Sequence, residues 1–140
     1  MGSRRGADRA AEATVGYAAD EHGNGLAYAR VAGPRSRRVL RVGFRVSARP
    51  VTDRATAYAA LTAVTRALAK RGVRAVRLVV GDARFAEEVE TGHGVAAGLE
   101  LAYVGLRCAL NSLAALGVQP GATDELTQRA RAEVTLNVAA

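Results

Sequence analysis

The chain has 140 residues, one cysteine, no tryptophan and a formal net charge of +7. That length suits a single domain with a core of its own. The lone Cys108 excludes an internal disulfide and a cysteine-rich zinc site, and no apolar run approaches the roughly 20 residues of a membrane span. The first residues, MGSRRGADRAAEAT, are basic but lack the apolar segment of a secretory signal. Together these absences favour a soluble cytoplasmic protein without a membrane partner. Of the 20 basic residues only Lys70 is a lysine. Arginine forks match phosphate oxygens, so an arginine-rich surface fits a nucleic-acid partner. Heavy use of Ala, Arg, Gly and Val is equally what a GC-rich genome produces.

Residues 1–12 read as a flexible basic arm and residues 13–140 as one domain. From Ala13, Val15, Tyr17 and Ala19 alternate with Thr14, Gly16 and Ala18, the period of a strand. The segment His22-Gly23-Asn24-Gly25 supplies turn chemistry, and Leu26–Ala32 reads as a second strand. Gly33-Pro34-Arg35-Ser36 ends it. Over Val39–Ala48, Leu40, Val42, Phe44 and Val46 alternate with Arg41, Gly43 and Arg45. The spacing predicts an antiparallel three-stranded meander, one face apolar and the other partly arginine.

After Pro50 the period changes. Thr52 or Asp53 can cap a helix, and Ala57, Ala60, Leu61, Val64, Ala67 and Leu68 form its apolar stripe. Gly72 stops it. Val73–Val80 is a β-branched run, and strand, helix, strand implies a parallel crossover. Arg84–Glu90 reads as a short helix, residues 91–98 as a glycine-rich loop, Leu99–Leu116 mostly as helix, and Thr123 to about Val138 as a last helix. Gly117–Gly121 leaves room for a very short fifth strand or none.

The order β-β-β-α-β-α-α-α, with its local words, resembles the type I ribonuclease H family. Thr52-Asp53-Arg54-Ala55-Thr56 is similar to the family's first-helix start, Gly81-Asp82-Ala83 to its acidic turn after the fourth strand, and Asp124-Glu125-Leu126 to the start of its last helix. The resemblance implies an α/β fold with a mixed sheet and a site where four carboxylates hold two divalent ions, Mg²⁺ or Mn²⁺, for hydrolysis of an RNA–DNA hybrid. Carried over, Asp82 and Asp124 match two metal-ligating, catalytic acids. Thr56 stands at the helix glutamate. The first-strand aspartate falls on Ala18, or on Asp20 if the register slides. The family's histidine loop has no counterpart in Leu116–Thr123. Two carboxylates suit at most one weakly held, hydrated ion, so the expectation is a nucleic-acid-binding domain with nuclease activity lost or very weak. The alternatives are a working endoribonuclease on RNA–DNA hybrid using Asp20, Asp82 and Asp124, and a structural or protein-interaction domain that reuses the fold.

Each residue also has a plainer role. Asp82 can be an Asx-turn residue, Asp124 and Asp53 helix-start acids, His93 an exposed loop residue, Cys108 a buried, inert thiol, and Gly23-Asn24-Gly25 only a turn. Arg37, Arg38, Arg41 and Arg45 can contact nucleic-acid phosphates of a hybrid or duplex, or form a solvated sheet face.

Overall fold

A computed structural model describes residues 11–115 and 117–139. The residues assigned to the basic arm at positions 1–10 lie outside the described residues, while Ala11 and Glu12 already belong to the first strand. Five strands and four helices follow in chain order: β1 (Ala11–Ala19), β2 (Asn24–Ala32), β3 (Arg37–Arg45), α1 (Asp53–Lys70), β4 (Val76–Val80), α2 (Ala83–Thr91), α3 (Glu100–Ser112), β5 (Gly117–Pro120) and α4 (Asp124–Ala139). They build one mixed sheet in the order β3-β2-β1-β4-β5. The meander is antiparallel, as its alternation predicts, and β4 joins β1 in parallel with Val15 opposite Val80. A four-residue β5 pairs in parallel with β4, so the short fifth strand is present.

The two faces of the sheet bury unequal cores. Ala13, Val15, Ala27, Ala29, Leu78 and Val80 pack with Tyr58, Leu61, Val64 and Leu68 of α1, Phe85 and Val89 of α2, and Leu106 and Leu110 of α3. On the opposite face, Leu26 and Tyr28 meet only Leu126 and Ala130 of α4 among the buried residues. Cys108 is exposed, which corrects the expectation of a buried thiol. The buried stripe of α3 runs through Leu106, Ala109 and Leu110. Cys108 instead shares the outer side with Leu101 and Val104, 87% and 53% exposed. Helical spacing marked α3 as apolar but could not say that one apolar side has no neighbour among the described residues. Among the described residues, no helix is long and apolar enough to cross a membrane.

Gly16 permits α4 to lie close against β1. A Cβ there would come within 2.3 Å of the Thr127 backbone nitrogen, a collision with backbone that no rotamer relieves. Gly16→Ala is therefore expected to destabilise the fold by about 1–3 kcal/mol, the usual cost of overpacking. Chemical denaturation should show a lowered midpoint; an unchanged one would mean that α4 is not held against β1.

Candidate functional site

The end of the sheet where β1 and β4 finish opens into a cleft of about 930 Å³, walled by Tyr17–Glu21, Val51–Asp53, Thr56, Gly81, Asp82, Thr123, Asp124, Thr127 and Arg131 together with Val134 and Thr135. The strand ends and helix starts that build it follow from the parallel β1–β4 pairing, because the helix after each crossover begins at the strand's far end. Asp20, Asp82 and Asp124 all line this cleft, and so does Asp53.

Sharing a wall is not sharing a ligand. Asp20 closes the β1–β2 hairpin. Its Oδ1 accepts the backbone N–H groups of His22 and Asn24, each at 2.9 Å, and its Oδ2 accepts the Asn24 amide at 3.4 Å. Desolvation acts to raise its pKa, but these donors outweigh it and hold the carboxyl below its ordinary value. Asp82 is the N-cap of α2, its Oδ1 accepting the Phe85 N–H at 3.1 Å. Its other oxygen lies 3.8 Å from the Arg54 guanidinium. Asp124 and Asp53 are exposed first residues of α4 and α1, and Thr52 caps α1 by accepting the Ala55 N–H at 3.1 Å. Thr56 is buried, and its hydroxyl donates to the Thr52 carbonyl at 2.8 Å.

The β1 residue that faces this cluster is Tyr17. With Val15 opposite Val80, two further residues bring Tyr17 level with Asp82 on the side of α1. Ala18 turns instead toward the small core under α4. Burial pushes the Tyr17 hydroxyl up to about 12, and the neighbouring Asp82 and Asp53 carboxylates add to the rise while Arg54 opposes it. The sequence placed Tyr17 correctly in the alternation, but only the register between β1 and β4 selects it as the residue beside Asp82.

Arg54 is the other residue that sequence reasoning passed over. Its guanidinium lies 5.4 Å above the Phe85 ring and 3.9 Å from Glu88. The Glu88 carboxylate is buried and accepts the Tyr58 hydroxyl. A fixed cation thus stands behind the cleft between Asp82 and Glu88, and its buried Nη1 lacks a hydrogen-bond partner. The only sequence signal was an arginine in the first turn of a helix, where a positive charge opposes the dipole and calls for an acid nearby.

A two-metal centre requires several oxygen ligands aimed at one point. Among the described residues, no three His, Cys, Asp or Glu side chains are grouped to hold a metal ion. Asp20 is committed to its turn, Asp82 shares its charge with Arg54, and the β1 and α1 positions offer a phenol and a hydroxyl. This donor set does not fit a pair of divalent ions.

The β3 arginines divide between environments. Arg41 donates to Glu133 of α4 through Nε at 2.6 Å, and its Nη2 lies 2.5 Å from the same carboxylate oxygen. The Tyr28 hydroxyl donates to the same carboxylate. The Arg41 bond and then the Tyr28 bond hold Glu133 below its usual range. Arg45 donates to Asn24 at 3.1 Å. Arg37 and Arg38 are exposed.

No family model matches the chain, and no curated protein matches it. Solved structures do. The N-terminal ribonuclease H domain of a Mycobacterium tuberculosis protein superposes with a TM-score of 0.69 at 13% identity, covering 93% of this chain and 99% of that one. The chain has a ribonuclease H-like fold. A ribonuclease H from Halobacterium salinarum NRC-1 shares it at a TM-score of 0.69 and 18% identity, over 91% of this chain and 98% of that one. A compost-derived metagenomic ribonuclease H, solved with an RNA/DNA hybrid, matches at 0.59 and 10% identity, over 89% and 99% of the two chains.

The burial of Tyr17 has a pH signature. An unfolded tyrosine ionises near 10, whereas the folded one holds its proton to about 12. The folded state therefore binds the proton more tightly, and its advantage is present below pH 10 and is lost as pH rises through about 12. The loss amounts to about 2–3 kcal/mol. Tyr17→Phe should flatten stability against pH across that window. An equally steep decline in the variant would show that another group is responsible.

Proposed function

We propose that this chain is a nucleic-acid-binding ribonuclease H-like domain whose nuclease activity is lost or very weak. The observation that carries the reading is the replacement of two cleft carboxylates by Tyr17 and Thr56, with the Arg54 guanidinium beside Asp82. At most one weakly held, hydrated Mg²⁺ or Mn²⁺ suits the acids left. The nucleic-acid partner is supported by the surplus of arginine and by the hybrid held by the compost ribonuclease H of the same fold. The contacts are to phosphates, which position a duplex without reading its sequence.

A metal-dependent endoribonuclease is the second reading, favoured by the presence of Asp20, Asp82 and Asp124 on one cleft wall. A cleavage assay on RNA–DNA hybrid in Mg²⁺ and in Mn²⁺ separates the two. The expected result is no product above background. Robust metal-dependent cleavage that disappears in Asp82→Asn would establish the enzyme instead. Failure to bind hybrid or duplex at low salt would leave a structural or protein-interaction domain.

A further inference from the structure

The end of the sheet opposite the cleft gathers exposed bases with almost no acid among them. The cleft carries Asp20, Glu21, Asp53, Asp82 and Asp124 against Arg131 on its wall and Arg54 beside Asp82, with Arg45 and Arg49 at the adjoining β1–β2 hairpin. At the other end lie the starts of β1, β3 and β4, because Ala11 pairs with Val76 and Ala32 lies between Glu12 and Arg37. The end of α1 reaches the same level, joined to β4 by a short connection. Residues 11–13, 32–38 and 69–77 there hold seven bases and a single acid, Glu12.

All seven bases are exposed. Among the described residues, none of them has a carboxylate within salt-bridge distance, whereas Arg30, Arg41 and Arg54 do. From β3 to β4 the sheet crosses three strand intervals, roughly 14 Å, comparable with the roughly 12 Å major groove of a B-form duplex. The bases are thus spread widely enough to reach phosphates on both strands. Six of the seven are arginines, whose forks take phosphate oxygens two at a time. The two ends are separated by the length of β1, about 26 Å at roughly 3.3 Å per residue. That exceeds two Debye lengths of about 10 Å at 0.1 M salt, so each end acts on a ligand independently.

We infer that duplex nucleic acid docks on the basic end formed by Arg35, Arg37, Arg38, Lys70, Arg71, Arg74 and Arg77, away from the acidic cleft. The inference rests on the nucleic-acid reading and adds to it the place of contact. The five carboxylates of the cleft outnumber its two cations, Arg131 and Arg54, so a phosphate backbone is held less well there than at the opposite end, where seven bases stand with one acid. A phosphate backbone accepts such a surface without base recognition.

Fluorescence polarisation with a short labelled RNA–DNA hybrid and a short labelled double-stranded DNA tests the assignment. Two basic-end variants, Arg71→Ala/Arg74→Ala and Arg37→Ala/Arg38→Ala, lie on different segments, so misfolding of one leaves the other to report. Arg84→Ala/Arg107→Ala removes the same charge elsewhere. Each basic-end pair is expected to weaken binding at least about tenfold at 50 mM salt and to lower the log–log salt slope by about 2. The Arg84/Arg107 pair should change affinity by less than about twofold. Equal losses in all three variants, or no loss in either basic-end pair while the native chain binds, would overturn the docking site and leave the nucleic-acid reading standing. Absence of binding by the native chain at low salt would overturn both. Tighter binding to anionic phospholipid vesicles than to either duplex would reassign the surface to a membrane.

Discussion

The double variant Tyr17→Asp/Thr56→Glu is expected to gain a divalent-metal-dependent rise in melting temperature that the native chain lacks. Tyr17 lies level with Asp82 across the β1–β4 pair, and Thr56 lines the same cleft one helical turn into α1. Carboxylates at these two positions would join Asp82 and Asp124 around one opening. Without metal the variant should be less stable than the native chain, since a half-buried phenol has been exchanged for a charge and like charges crowd the cleft. Binding linkage reverses this, adding about 2.7 kcal/mol when Mn²⁺ or Mg²⁺ reaches a hundred times its dissociation constant. For a domain of this size the gain corresponds to a rise on the order of 8–10 °C. Native protein scanned alongside should show a far smaller shift. If the double variant folds but melts at the same temperature with and without metal, the cleft does not bring these four positions together. A comparable shift in the native protein would instead restore the endoribonuclease reading.

The affinity of the native chain for hybrid or duplex should fall by about a thousandfold between 50 and 200 mM salt, since about six phosphate contacts each contribute roughly 0.9 to the log–log slope. The same contacts carry no base information. With no tryptophan, four tyrosines and two phenylalanines in the chain, and with Tyr58 and Phe85 in the core, the aromatic stacking that gives salt-resistant single-strand binding has few residues to supply it. Titrations of duplexes with unrelated sequences should therefore superimpose at each salt concentration. Binding indifferent to salt, or an affinity that changes by orders of magnitude with sequence, would exclude a phosphate-based contact.

Sequence alone settled the elements whose periodicity is strong. The alternation through Leu40, Val42 and Phe44 places those side chains against the large core and Arg41 and Arg45 on the other face. The stripe through Leu61, Val64 and Leu68 lies buried as its spacing requires, and of the two caps the sequence offered, Thr52 and Asp53, Thr52 takes the role. Asp82 caps α2 by accepting the Phe85 N–H, where the sequence offered an Asx turn or a metal ligand. β5 was hardest to see because four residues pair with β4 on one side only, and a segment so short carries almost no periodic signal.

Only the tertiary structure decided what the cleft is made of. Alternation tells which residues of β1 share a side, but the residue beside Asp82 depends on how β1 aligns with a strand some 60 positions later, and no local pattern encodes that alignment. The register selects Tyr17 over Ala18 and leaves Asp20 to its turn. Composition likewise counted the surplus of arginine, and the topology sorted it: antiparallel β2 returns the start of β3 to the start of β1, and the parallel crossover brings the end of α1 to the same edge. Local sequence sets period and caps because these depend on neighbours a few residues away. The placing of charges at one end of a sheet depends on strand direction and order, which exist only once the chain has folded.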